Sequence, residues 1–392
     1  VSERPDFVVF SDDWGEHPSS CQHLFRQIAR DHRVIWVNTV GMRAPKLTLG
    51  DVRRAYLKVR KMLLPAGPQA AASGAAAVSS LSAGLDLHVL QPPMIPLPSS
   101  SLARRFNARS AETAIRARMR QLGIERPVVV STVPNACDVV GRLGAAHVVY
   151  YCVDDFAQWP GLDHAAVHRM EQSLIRQSDV LLATSDALQR ALQRDGRQVH
   201  LFPHGVDLEF FGQPSGDEHP AVAPLQRPRA GFYGNLDERV DAELIEAVAR
   251  ARPEWMFVFA GPQAVRWPQL EALPNVRFIG AVAYRDLPRL ADALDVLLLP
   301  YHVNAFTQTI SPLKLNEYLA SGRPVISAAL HESEKRMPLV RIARGVEEWS
   351  GALAESLADD RDTRREAARR LLATESWAAK AKTLLEFCRA PR

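Results

Sequence analysis

Hydrophobic positions along this chain rarely alternate one by one with polar positions. They come in short continuous runs, with helix-patterned segments between them. In the first half the runs fall at 7–11, 34–38, 85–90, 128–132, 148–153, 180–184 and 200–203, and several, such as Val128-Val129-Val130, are unbroken. A strand with one wet face alternates, whereas a strand covered on both faces of a parallel sheet has no reason to. Segments 20–31, 103–122, 164–177 and 185–194 carry helical spacing, and Ser185 is placed to cap the last of them. The pattern stops after His204-Gly205-Val206-Asp207, where 212–229 is rich in Pro, Gly and polar residues and reads as a linker. It restarts at 230–233, 256–260, 276–280, 296–300, 324–327 and 339–342. Near the end, Trp377, Leu384, Leu385 and Phe387 stand at roughly helical spacing. The expected class is α/β, with two doubly wound Rossmann-like domains at 1–205 and 230–372. Residues 206–229 would join them, and a terminal helix would follow at 373–392.

A chain of 392 residues suits two domains, and 47% hydrophobic with 23% charged residues suits soluble domains with real cores. The net charge of +4 favours small anionic ligands and is too weak to argue for nucleic acid. Four scattered cysteines without a CxxC pair read as free thiols of a reducing compartment. No apolar run reaches the roughly 18 residues that span a bilayer, and the opening residues do not read as a signal peptide. The expected location is the cytoplasm, with peripheral contact to the cytoplasmic face of a membrane. That contact is suggested by 51–63, where Val52, Tyr56, Val59 and Leu63 share one side and Arg53, Arg54, Lys58, Arg60 and Lys61 surround the rest.

The most informative stretch is 311–327. It reads as a loop, a helix over 312–320, a stop at Gly322 and a buried strand. Ser311 is placed to cap the helix, whose first N–H groups suit a diphosphate. Lys314 adds a cation at that end. Glu317, one turn further on the same face, can accept both hydroxyls of a ribose.

This run resembles the donor-site helix of glycosyltransferases of the GT-B fold, the group 1-like bacterial exopolysaccharide and capsule enzymes among them. The resemblance implies that Glu317 binds the ribose of a nucleotide. Further along the chain, 203–207 resembles the family's interdomain crossover, and 275–280 resembles the strand flanking its base pocket. The run 231–236 (GFYGNL) resembles the first strand and phosphate-side loop of the donor domain, which puts Gly234 and Asn235 at the phosphates, with Arg239 as a further contact. The chain departs from many retaining members at Thr309, where they carry a second Glu.

Two acidic pairs, Asp12-Asp13 and Asp154-Asp155, follow strands of the first half, where ligands of open α/β sheets bind. In an inverting enzyme a carboxylate there deprotonates the acceptor hydroxyl. The run 150–156 (YYCVDDF) is similar to a segment of exopolysaccharide transferases in which an acceptor-domain Asp is the proposed base. That similarity favours Asp154 and Asp155 as the catalytic candidates. Asp12, Trp14, Gly15 and His17, at the opening of the first helix, are the candidates for the acceptor side. Neither acidic pair is a DxD motif, so no metal is expected, and no cofactor beyond a nucleoside diphosphate sugar as co-substrate, UDP-sugar favoured.

The resemblance implies transfer of a sugar to a hydroxyl of a glycan or lipid-linked acceptor in polysaccharide biosynthesis. Sugar-nucleotide 2-epimerases share the architecture and would need no acceptor. A non-catalytic nucleotide-sugar-binding protein is the third reading.

Overall fold

The computed structural model describes residues 4–15, 19–39, 84–159, 161–193 and 196–389. The chain divides into two compact units, one running through Phe202 and resuming at Ala378, the other spanning Pro203–Trp377. His17 and the basic segment 51–63 lie outside the described residues.

The first unit is built on seven parallel strands: β1 (Phe7–Ser11), β2 (Val34–Asn38), β3 (Leu87–Leu90), β4 (Val128–Ser131), β5 (His147–Cys152), β6 (Val180–Ala183) and β7 (Val199–Leu201). Their order is β3-β2-β1-β4-β5-β6-β7, so the direction of winding reverses between β1 and β4. Every residue of β1, β2, β4 and β5 is buried, which is the physical reason their sequences do not alternate. Helices α1 (Ser20–Ile28), α2 (Ser101–Leu122), α3 (His164–Gln177) and α4 (Asp186–Leu192) lie between the strands in sequence. The side chains of Ser19, Ser100, Asp163 and Ser185 cap them by accepting from the first-turn N–H groups.

The second unit repeats the plan with six parallel strands: β8 (Arg229–Tyr233), β9 (Met256–Ala260), β10 (Val276–Gly280), β11 (Val296–Leu299), β12 (Val325–Ser327) and β13 (Val340–Ile342), in the order β10-β9-β8-β11-β12-β13. Its winding reverses between β8 and β11. Its helices are α5 (Leu208–Gly212), α6 (Ala242–Ala251), α7 (Pro268–Glu271), α8 (Leu287–Ala293), α9 (Leu313–Ala320), α10 (His331–Glu334), α11 (Gly345–Ser356) and α12 (Arg361–Leu371). The last helix, α13 (Trp377–Arg389), belongs from Ala378 onward to the first unit. There Phe387 packs 4.5 Å from the His200 ring, and the Lys380 ammonium lies 5.1 Å over Phe202.

The stretch read as a linker is folded into the second unit. Val206 pairs with Ser376, Asp207 caps α5, and Val222 is fully buried. Arg229, only 3% exposed, opens β8 and donates to Glu218 and to the carbonyls of Ala223, Leu225 and Ala293. Turns use Pro, Gly and polar residues whether or not they pack, so composition alone mimicked a linker here. All four cysteines are buried and unpaired. Among the described residues no helix is long and apolar enough to cross a membrane.

Candidate functional site

In the second unit the sequence candidates gather at the carboxyl ends of β8, β9 and β11, around the point where winding reverses. β8 and β9 are each followed by a glycine, and the two backbones touch. Gly234 donates its N–H to Ala260, and Gly261 donates to Gly280. Gly234 and Gly261 have φ of 143° and 144°, and a Cβ on Gly261 would lie 1.8 Å from the Gly234 carbonyl oxygen. Only glycine fits such a contact. On its other side Gly234 leaves room for Lys314, since a Cβ there would lie 2.6 Å from Lys314 Cε.

Lys314 projects from the first turn of α9 and donates to Tyr301 Oη at 2.8 Å. Its ammonium lies 5.1 Å from the centre of the Phe232 ring and 5.3 Å from that of Tyr301, within cation–π range of both. Arg239 lies 5.5 Å from the same Tyr301 ring and forks onto Asp237 at 2.8 and 2.6 Å. Burial pushes the Asp237 carboxyl up, but the bonds from Arg239 outweigh it, with help from Lys314, and it titrates below its ordinary value. Two cations are thus gathered at one place in the site, where they suit an anion.

The start of α9 differs from the sequence expectation. Pro312, not Ser311, occupies the N-cap position, and it makes no side-chain cap hydrogen bond. Proline has no N–H and no side-chain acceptor, so it takes the cap position without capping the first turn, where the Leu315 N–H reaches the Pro312 carbonyl at 3.0 Å. Ser311 stands one residue outside the cap and half-buried, and Asn235 is exposed beyond the end of β8. Thr309 Oγ1 donates to the carbonyl of Phe306 within its own turn.

The remainder of α9 is stitched in place. Asn316 Nδ2 donates to the His204 carbonyl at 3.0 Å, and the Tyr318 hydroxyl accepts from the Tyr233 N–H and donates to its carbonyl. Glu317, one turn beyond Lys314, is 6% exposed, and its carboxyl makes no hydrogen bond or ion pair among the described residues. Burial raises its carboxyl to about 8, against the lowering influence of Lys314. The Tyr233 hydroxyl is also buried without a hydrogen-bond partner, and burial and then Glu317 push its pKa upward. Unsatisfied buried polar groups are costly, and where they persist a bound partner is a common reason.

In the first unit, Asp12, Trp14 and Gly15 form one cross-linked loop after β1. The Asp12 carboxylate accepts from Ser11 at 2.7 Å, Ser19 at 2.9 Å and Gln22 at 2.8 Å. Gly15 donates to Gln22 and Trp14 to Asn38, while the Trp14 ring packs 4.8 Å from Trp36. Asp12 thus spends its oxygens on holding the loop. Asp154 and Asp155 sit apart from it, at the end of β5, both half-buried. The Asp154 carbonyl accepts from Phe156, and the Asp155 side chain accepts from Gln158. Behind them Tyr150 donates to Glu171 at 2.6 Å, and burial, with Asp155 adding to it, raises the Glu171 carboxyl. A pocket open to solvent lies beside the end of β1, with Phe10, Thr39, Arg104, Asn135 and Asp138 in its lining.

The sequence reading missed Tyr301, Asp237, Tyr233, Gly261 and Glu171. Gly261 had a visible signal, since Ala260-Gly261-Pro262 ends an apolar run in a glycine just as Tyr233-Gly234 does. The others are ordinary residues until the fold brings them to Lys314, Glu317 or Asp155.

The fold is the GT-B architecture, and residues 227–359, within the second unit, match the family model described as "Glycosyl transferases group 1". Among curated relatives, a Bacillus subtilis protein named as a teichuronic acid biosynthesis glycosyltransferase, TuaH, is 30% identical over 176 residues. That match covers 42% of this chain and 44% of TuaH. The GDP-mannose-dependent alpha-mannosyltransferase of Mycolicibacterium smegmatis is 30% identical over 193 residues, 47% of this chain and 50% of that protein. The chain thus spans about half the length of the curated relatives it matches. Solved structures follow it further. Anabaena HepE in complex with UDP and glucose is similar over 99% of this chain and 100% of that one, with a TM-score of 0.64 at 13% identity. Sucrose-phosphate synthase from Thermosynechococcus elongatus covers 98% of both chains, with a TM-score of 0.68 at 16% identity.

Proposed function

We propose that this protein transfers a sugar from a nucleoside diphosphate sugar, UDP-linked by preference, to a hydroxyl of a glycan or lipid-linked acceptor in polysaccharide biosynthesis. The observation that carries the reading is Glu317, a buried carboxyl without a protein partner one helical turn from Lys314. In this reading Glu317 takes the ribose hydroxyls. Lys314, Arg239 and the uncapped start of α9, with Ser311 beside it, meet the diphosphate, and Gly234 and Asn235 bring backbone close to it. Negative charge on the diphosphate grows as its bond to the sugar breaks, and cations fixed beforehand stabilise that charge without reorganising. The reading uses side-chain cations and no metal. HepE, described in complex with UDP and glucose, supports a UDP-linked donor, whereas the mycobacterial relative is named for GDP-mannose.

The test is a binding screen of UDP-, GDP- and ADP-linked sugars against wild type and Glu317→Ala. One nucleotide class is expected to bind, and the substitution to weaken it by about 1–3 kcal/mol. Failure of a folded protein to bind any of them would sink the donor-site reading.

For the acceptor step, Asp154 or Asp155 is the proposed base, and Asp12, committed to three hydrogen bonds, is a positioning group. The double variant Asp154→Asn/Asp155→Asn is expected to lose about 100-fold or more in kcat while donor affinity stays near wild type. Unchanged turnover would move the base elsewhere.

A further inference from the structure

We propose that the outward face of α2, with the loop before it, docks onto a bilayer surface that carries anionic lipid. The first observation is where apolar side chains remain uncovered. Of the nine large hydrophobic residues exposed among the described residues, four (Ile95, Leu97, Leu102 and Phe106) fall within one short stretch. Leu102 is 75% exposed and Phe106 49%. The stretch is held rigidly: Asn107 accepts from the Ile95 N–H at 2.7 Å and donates to its carbonyl at 2.9 Å, clamping the loop to the first turns of the helix. Ile95 and Leu97 also line the pocket of the first unit, so apolar surface continues inward from the exposed residues.

The second observation is the charge on the same face. α2 buries Ala103, Ala108, Ala111, Ile115 and Met119, and the opposite stripe runs Leu102, Phe106, Arg109, Thr113, Arg116 and Arg120 at steps of four and three. Arg105 lies on it as well. The helix holds six arginines and a single glutamate, in a chain whose whole formal charge is only +4. Glu112 is taken up by Arg116 and Arg142, and Arg104 by Asp138. Arg105, Arg109 and Arg120 make no ion pair among the described residues. Apolar residues at one end of a helix, with unneutralised arginines continuing along its outer stripe, match the headgroup region of an anionic bilayer. There the apolar groups leave water and the guanidinium groups meet phosphate. A protein partner of acidic surface would use the arginines but leave Leu102 and Phe106 without a reason to be exposed together.

Flotation of the full chain with vesicles, in the absence of any nucleotide, tests this. Wild type is expected to float with phosphatidylcholine vesicles containing about 30 mol % phosphatidylglycerol, and much less with phosphatidylcholine alone or at about 0.5 M salt. Leu102→Ser/Phe106→Ser and Arg105→Glu/Arg109→Glu, each checked by circular dichroism for an intact fold, are expected to lower partitioning at least about tenfold. Arg285→Glu, a similar change of charge on an exposed site of the second unit, is expected to leave it unchanged. Wild type that stays with neither vesicle, or folded variants that float like wild type, would overturn the proposal.

Discussion

Replacing Gly261 with alanine is expected to destabilise the second unit by on the order of 3 kcal/mol and to remove donor binding with it. Two costs fall on the same atom. The backbone at φ 144° is one that side chains with a Cβ rarely adopt, and the new methyl would lie 1.8 Å from the Gly234 carbonyl oxygen. Neither partner is free to retreat. Gly234 is tied to Ala260, and Gly261 to Gly280, at the ends of adjacent parallel strands. Relief would have to come from pulling the β8 and β9 ends apart, which carries Gly234 away from Lys314. Gly234→Ala makes the informative contrast. Its methyl would meet Lys314 at Cε and Nζ, the far end of a flexible side chain, so the strain is mainly that of the backbone. Thermal unfolding and donor titration of the two variants separate these effects. A Gly261→Ala protein that melts and binds like wild type would mean that the two loops do not pack as described.

The second large effect is on pH. With the site empty, burial holds the Glu317 carboxyl at about 8, so near neutrality it is mostly protonated. Because the folded value lies above the ordinary 4.5, the stabilisation from holding this proton is complete below about pH 4.5 and is lost as pH rises through about 8. Donor binding carries the opposite sign. A carboxylate accepts ribose hydroxyls better than a carboxylic acid does, so a bound nucleotide favours the ionised form and expels the proton. Affinity is then expected to rise by roughly 10- to 50-fold between about pH 6 and pH 8. Titration calorimetry in buffers of different ionisation enthalpy would read the proton release directly. Glu317→Gln is expected to bind weakly with a flat profile. A flat profile in wild type would show that the carboxyl serves the donor without ionising.

The strands were legible because each is covered on both faces, and an unbroken apolar run such as 128–130 has few other uses in a chain of this composition. α9 was legible because Pro312 and Gly322 punctuate it, and because Lys314 and Glu317 have a spacing that chemistry explains. Its cap was misread for a physical reason: the serine was preferred for its oxygen, while the following proline already occupied the cap position. The partners of Lys314 were illegible for a different one. Tyr301 reaches it across a loop, and Phe232 and Gly234 come from a strand some eighty residues earlier. No local pattern encodes such meetings. Asp12 and Asp154 are both acids after strands, and while the run 150–156 set Asp154 and Asp155 ahead as candidates, the hydrogen bonds that Asp12 accepts from Ser11, Ser19 and Gln22 had no signal in the sequence.

The burial of Val222 and Arg229 also bears on where the chain can be divided. A fragment beginning at 230, where composition changes, would lose the apolar plug at Val222 and the arginine that gathers Glu218 with three carbonyls. It would leave the Asp295 carboxylate without the Arg229 N–H that it accepts. The compact unit instead starts at Pro203 and runs to Trp377, ending where Val206 pairs with Ser376. Any recombination that exchanged donor halves between such proteins would have to cut on the far side of α5, upstream of the region that looks expendable.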